Sequence, residues 1–326
     1  MNFLRVTITR MAYAALLLVA VLILNFTLMH LAPGDVADTI AQSAGGIDAE
    51  ALEQIRREYG LDQPFIVQLG GYIGRVLQFD LGYSFFYSRP VTDLILDRLP
   101  ATLLLVIAAQ ILALTVGVVF GVISARKPNG IFSHFVTLAS LVGYSAPVFW
   151  TGLLMLVMFS LILPWFPVAG MRDVTIENGN IFIHTVDVAR HLVLPMVTLA
   201  SIFVALYSRL SRASMIEVLG SDYVRTAKAK GLKSNQVVYK HALKNAISPV
   251  ITLAGLQLSA IVSGAVLVET VFSWPGLGTL AFQSIIARDT PTILGILFFS
   301  SLVVIVGNQV TDLVLRLVDP RVGSKK

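Results

Sequence analysis

Six stretches of this chain are long and apolar enough to cross a lipid bilayer, and nothing constrains its fold more. A hydrocarbon core takes about 20 mostly apolar residues per helix. Runs of that kind occupy 9–31, 99–125, 133–163, 190–210, 246–268 and 292–316. Within lipid each backbone polar group must be satisfied inside the segment, which selects helices. Of the 326 residues, 56% are hydrophobic and 13% charged, where a soluble domain carries about 25% charged. That is too little polar surface to cover a soluble core. The expectation is an all-α, polytopic membrane helix bundle with about six transmembrane helices, residues 1–326 forming a single membrane domain. The first run is longer than a signal-peptide core and lacks a clean small-x-small cleavage site, so it reads as a retained helix. The third contains Pro147 within Gly143-Tyr144-Ser145-Ala146-Pro147. A proline there removes a backbone hydrogen bond and predicts a kink or break.

Orientation follows from the basic residues. With the N-terminus inside, the cytoplasmic segments hold 16 of the 24 Lys and Arg residues. Only four of the 19 acids, Glu217, Asp222, Asp312 and Asp319, fall on that side. The bias predicts an N-in, C-in chain. Residues 33–98 then form a long external loop, 164–189 and 269–291 shorter ones, and 211–245 the large cytoplasmic loop. Within the first, the segment from Asp48 to Gly60 reads as a short helix with glycine as its stop.

The chain has no cysteine and five histidines without ligand spacing, which excludes thiolate sites and argues against zinc. No phosphate-binding Gly-x-x-x-x-Gly-Lys-Ser/Thr, His-Glu-x-x-His or Gly-x-Ser-Gly motif occurs. A secondary transporter would predict internal inverted repeats and membrane carboxylates. No repeat is detected, and Asp312 is nearly the only acid within a run; four residues before Arg316, it reads as an interfacial pair. An intramembrane enzyme would need a nucleophile–base pair, and none is evident.

The cytoplasmic loop is the most informative segment. In Ser221-Asp-Tyr-Val-Arg-Thr-Ala-Lys-Ala-Lys-Gly-Leu232, Ser221 suits an N-cap and Asp222 the positive end of a helix dipole. Lys228 and Lys230 suit the last turn, and Gly231 the left-handed position beyond it. Ser234 is placed to cap a second helix running through Asn245. Tyr223, Thr226, Ala227 and Lys230 fall on one side of the first helix. Two readings stay open on these grounds: a basic helix on anionic lipid, or a small-faced helix in the groove of a soluble partner.

Together with His241-Ala-Leu-Lys-Asn-Ala246 and Pro249-Val250, the segment from Glu217 to Leu232 resembles the EAA loop of ABC-importer permeases, and more narrowly the dipeptide/oligopeptide/nickel branch. Leu31-Ala-Pro-Gly-Asp35, Gly60-Leu-Asp-Gln-Pro64, Asp80-Leu-Gly82, Arg98-Leu-Pro-Ala-Thr102, the stretch from Glu269 to Gly278 and Asp319-Pro-Arg321 are similar to the same family and follow its order. Aligned on Gly231, Arg225 stands for the family's glutamate, with Thr226 and Ala227 for its two alanines. His241, Leu243 and Lys244 stand where the general pattern has isoleucine, leucine and proline.

The resemblance implies a type I ABC importer permease fold, with 99–316 as its core, in a bacterial inner (plasma) membrane. It implies a coupling helix contacting a cytoplasmic ATPase through Asp222, Tyr223, Arg225, Thr226, Ala227, Lys230, Gly231 and Leu232. ATP and Mg would belong to one or two partner ATPase subunits, with no cofactor in this chain. The other implied partners are a second homologous permease and a periplasmic or lipid-anchored solute-binding protein; nucleic acid is not among them. The cargo would be di- or oligopeptides or a similar small solute. For the pathway or gate the candidates are Tyr144, Ser145, Ala146, Pro147 and Gln257, since irregular backbone at depth is tolerated only beside protein or a wet cavity. For binding-protein contact the candidates are Trp274, Pro275 and Gly276, with the 33–98 loop.

Overall fold

A chain this apolar folds almost wholly into helices, and the computed structural model describes residues 3–31, 37, 49–58, 60–176 and 179–318. Asp48, residues 32–35 and 319–321, and the side chains of Asp312 and Arg316 lie outside the described residues. The chain divides into two compact units: Met1–Pro100 with Gly276–Ile305, and Ala101–Pro275 with Val306–Lys326.

In the first unit, α1 (Phe3–Leu31) precedes α2 (Ala49–Glu58), which stops at Gly60 with φ +64° as expected. The expected long loop holds more order than its sequence suggested. An amphipathic helix α3 (Phe65–Leu77) buries Tyr72 and Val76, one turn apart. Burial pushes the Tyr72 phenol up to about 12. A two-residue hairpin follows, β1 (Tyr83–Ser84) against β2 (Arg89–Pro90), with Tyr83 opposite Pro90. Its Ser84 hydroxyl donates to the buried Asp289 carboxylate at 2.5 Å, and Thr292 donates to the same oxygen at 2.6 Å. Leu22, Val91, Ile95, Leu280 and Phe299 fill this unit's core.

The helix α4 (Val91–Arg126) begins eight residues before the apolar run does and carries Pro100 without breaking. The third run shows the break expected at Pro147, as two helices. α5 (Ile131–Ser145) and α6 (Val148–Leu156, continued as a π-helical turn Val157–Ile162) meet at 105°. α7 (Ile181–Leu219) starts well before residue 190, and its Asn180 cap accepts from the Ile183 N–H at 3.0 Å. α8 (Asp222–Ala229) is the helix expected after Ser221. After it come α9 (Ser234–Gln236), a π-helical turn (Val237–Ala242) and α10 (Leu243–Ala246). The fifth run is divided at Gln257 into α11 (Ser248–Leu256) and α12 (Leu258–Val271); α13 (Leu277–Ile286) and α14 (Thr290–Val318) complete the chain. By length and composition, three helices qualify as spans among the described residues, Val91–Arg126, Ile181–Leu219 and Thr290–Thr311, with the bent α5–α6 pair a fourth.

The second unit's core gathers Leu105, Leu199, Tyr207, Val250, Phe272 and Trp274. Small residues let its helices approach closely, the usual device where lipid provides no hydrophobic drive between helices. A Cβ at Gly117 would come within 2.8 Å of the Tyr207 Cβ, and one at Gly121 within 2.5 Å of the Ser211 Cβ. Where α4 meets α7, Gln110 and the Tyr207 hydroxyl lie 3.3 Å apart, and the Gln110 amide donates to the Ala254 carbonyl at 3.4 Å.

Candidate functional site

The short helix α8 has two unlike faces. Its underside is Val224, wholly buried, and Ala227, packed with Val122, Ala125, Met215, Val237 and Val238. Asp222, Tyr223, Arg225, Thr226, Lys228, Ala229 and Lys230 are exposed. Ala227 is therefore a correction to the expected contact surface: it anchors the helix to its own chain. A polar tie holds the loop as well, since the Asn245 amide donates to the Tyr223 hydroxyl at 2.8 Å. Nearby, Arg126 donates to the Asn235 amide oxygen at 2.9 Å. Neither tie has a signal in local sequence, because each joins residues more than twenty positions apart.

The helix boundaries fall where expected, with two changes of mechanism. Ser221 occupies the N-cap position, yet its hydroxyl donates backwards to the Val218 carbonyl at 2.6 Å instead of accepting from α8. Ser234 is the first residue of α9, and Lys233 stands at its cap position. Gly231 has φ +77°. Its N–H donates to Lys228 at 3.0 Å, and that of Leu232 to Ala227 at 3.4 Å. Nothing lies within 4 Å of where its Cβ would stand. Glycine is needed there for the left-handed backbone and not for space. Arg225 pairs with Asp222 at 3.3 Å, both largely exposed, so the pair adds little stability.

The pathway candidates coincide with irregular backbone. α5 ends at Ser145, whose hydroxyl bonds back to Leu141 at 2.9 Å. Ala146 is extended at φ −79°, ψ 130°, and Pro147 opens α6. Gln257 is the hinge residue between α11 and α12, at φ −86°, ψ −1°.

At the C-terminal end of α12 the sequence reading needs correction. Trp274 has no exposed surface, and its indole N–H donates to the Ala101 carbonyl at 2.9 Å. Beside it the wholly buried Glu269 accepts from the Thr102 hydroxyl at 2.6 Å. A side chain without exposed surface cannot receive a partner, so Trp274 is a core residue. Gly276 is likewise buried, and Pro275 is half-buried.

Two family models cover nearly the whole chain. The Binding-protein-dependent transport system inner membrane component matches residues 117–324, and its N-terminal companion (Binding-prot-dependent transport system membrane comp, N-term) matches 3–106. The chain belongs to this permease family. Similar relatives are full-length matches. The oligopeptide transport system permease protein AppB of Bacillus subtilis (strain 168) is 40% identical over 307 residues, 94% of this chain and 95% of the relative. The di/tripeptide transport system permease protein DppB of Pseudomonas aeruginosa (strain UCBPP-PA14) is 40% identical over 320 residues, covering 94% and 95%. The dipeptide transport system permease protein DppB of Escherichia coli (strain K12) is 37% identical over 324, with the same coverage. Among solved structures, the inward-facing MetNI methionine ABC transporter in its CY5 native crystal form aligns with 69% of this permease and 96% of its own chain, at TM-score 0.55 and 17% identity. That likeness is one of fold, and the fold is that of an ABC importer's membrane subunit.

Proposed function

We propose that this permease forms half of the translocation pathway of an ATP-driven importer of short peptides, in the bacterial inner membrane. The peptide class rests on the names of the full-length relatives. ATP and Mg are bound and hydrolysed by partner subunits. The observation that carries the coupling role is the division of α8 into two faces. Its apolar side is spent on its own chain through Val224 and Ala227. What remains outward is mostly polar, with Tyr223, Thr226, Ala229 and Lys230 on the exposed side. A helix lying on lipid needs a free apolar face. A helix seated in a soluble ATPase needs a rigid polar one, backed by its own domain so that it moves as a body.

One such helix per chain calls for a second permease to serve a second ATPase. The external landing surface for a binding protein falls to the 33–98 region, where α3 and the 83–90 hairpin border a cavity of about 460 Å³ lined by Phe26, His30, Gln68, Arg75 and Tyr83 among others. Copurification in mild detergent tests the assembly. A second permease and an ATPase should be recovered with the wild type. The ATPase alone should be lost from Thr226→Trp and Lys230→Glu, while the fold survives. Ala227→Leu should instead destabilise the permease, by about 1–3 kcal/mol for overpacking. An ATPase that stays bound to both exposed-face variants would refute the coupling role.

A further inference from the structure

One cation in the second unit is held in an unusual way. Arg209 and Arg212 lie one turn apart on α7. The Arg212 guanidinium donates to the Pro128 carbonyl at 3.1 Å, in the cytoplasmic turn between α4 and α5. Arg209 goes elsewhere: its guanidinium carbon stands 5.1 Å from the centre of the Tyr144 ring. Tyr144 is thirteen residues along α5 from Ile131, about 20 Å at helical rise. Its neighbour Gly143 stands beside the Ser201 carbonyl, two turns before Arg209 on α7. Helical side chains lean towards their own N-terminus, and α7 runs from outside to inside. Arg209 therefore leans back along α7 to Tyr144, where an arginine seeking the cytoplasmic interface would turn the other way.

The pair is not part of the core. Tyr144 is 54% exposed, and Arg209 is exposed beside it. Among the described residues no carboxylate lies within ion-pair distance of Arg209. A cation turned from the inner end of α7 towards hydrocarbon is costly, which favours a face against water or protein over one against lipid. The neighbouring break at Ser145–Pro147 makes the same demand, since irregular backbone at depth is tolerated only beside protein or water. A ring at this distance leaves the guanidinium N–H fork free to meet a carboxylate.

We propose that Arg209, backed by Tyr144, is the anion-recognising group of the pathway and takes the C-terminal carboxylate of the peptide as it passes. This rests on the peptide-permease reading. The test uses the whole complex, this permease with its partner permease, ATPases and binding protein, in proteoliposomes of neutral lipid and of neutral lipid with anionic phosphatidylglycerol. ATP-driven uptake of trialanine is followed together with binding-protein-stimulated ATPase activity.

Arg209→Gln should lower uptake by about 10-fold, Arg209→Glu by more, and Arg209→Lys by only about 3-fold, the scale of one charge-assisted contact. The order should be the same in both lipids, with ATPase stimulation retained. As a second probe that leaves the arginine in place, Tyr144→Leu should raise the KM for trialanine, and Tyr144→Phe should not. Wild-type uptake by Arg209→Glu would overturn the proposal. A loss confined to anionic vesicles would make Arg209 a lipid anchor, and Arg209→Lys as poor as Arg209→Glu would make it a packing residue. Absence of trialanine uptake by the wild type would instead refute the peptide reading beneath it.

Discussion

Two helices of the second unit, α8 and α12, stop by the same backbone device, and only one was legible in advance. α8 ends with Gly231 at φ +77° and α12 with Ser273 at φ +50°. In each, the next residue's N–H reaches back five positions, Leu232 to Ala227 at 3.4 Å and Trp274 to Glu269 at 2.8 Å. This is the Schellman ending. The residue after the left-handed one then meets opposite fates. Leu232 is left at the surface of its loop, whereas Trp274 is driven wholly inside. A shared local ending thus says where a helix stops and not whether the following side chain is presented or buried. That depends on whether other helices offer a pocket, as α4 does with the Ala101 carbonyl.

Substitution sharpens this comparison. Trp274→Ala should cost about 3–5 kcal/mol, the range for emptying a buried aromatic site, and thermal unfolding in detergent would report it. A shift no larger than that of a surface variant would mean that Trp274 is not the anchor its burial implies. Gly231→Ala should cost about 1 kcal/mol, because its left-handed backbone disfavours any Cβ although space is free. No loss of Tm would mean that the α8 ending relaxes without it. Leu232→Ala, the positional counterpart of the tryptophan change, should stay within about 0.5 kcal/mol in the same assay.

The smallest effect belongs to the turn before α7. Asp173 accepts from the Thr175 N–H at 2.9 Å and from its hydroxyl at 2.7 Å. These bonds, the backbone one first, hold its carboxyl below the ordinary value of 3.8. A depressed folded value stabilises above the unfolded pKa, and the contribution disappears as pH falls through the folded one. Asp173→Asn should therefore differ from wild type only slightly and uniformly at neutral pH. The difference should shrink in acid below the ordinary carboxylate range, as a pH series of melting curves would record. A difference that grows on acidification would reverse the sign.

Five described helices end in this left-handed way, and their legibility varies with the residue that does it. Gly60 and Gly231 were readable as stops because glycine alone enters that region without cost. Phe79, Ser273 and Arg288 adopt it as well, at φ +59°, +50° and +55°, and no rule of composition predicts them. Surrounding packing holds them there: the Thr92 hydroxyl donates to the Phe79 carbonyl at 3.0 Å, and Asp289, next to Arg288, is clamped by Ser84 and Thr292. The helix α3 and its hairpin were hidden for a related reason. They are too short to declare themselves by length, and only the burial of Tyr72 and Val76 marks the inner side of the helix.

Sequence alone marks this protein as helical and membrane-embedded, and marks where α8 begins and ends. Those properties follow from bulk hydropathy and the backbone preference of single residues, both of which act locally. Only the tertiary structure decided which side of α8 is outward, that Pro147 turns a span through 105° while Pro100 and Pro195 are absorbed within continuous helices, and that Trp274 is core. Each of these depends on a neighbour distant in sequence. Val237 and Val238 claim Val224 and Ala227, and the Ala101 carbonyl claims the indole. Burial is a property of the partner as much as of the residue, and the partner is chosen by the fold.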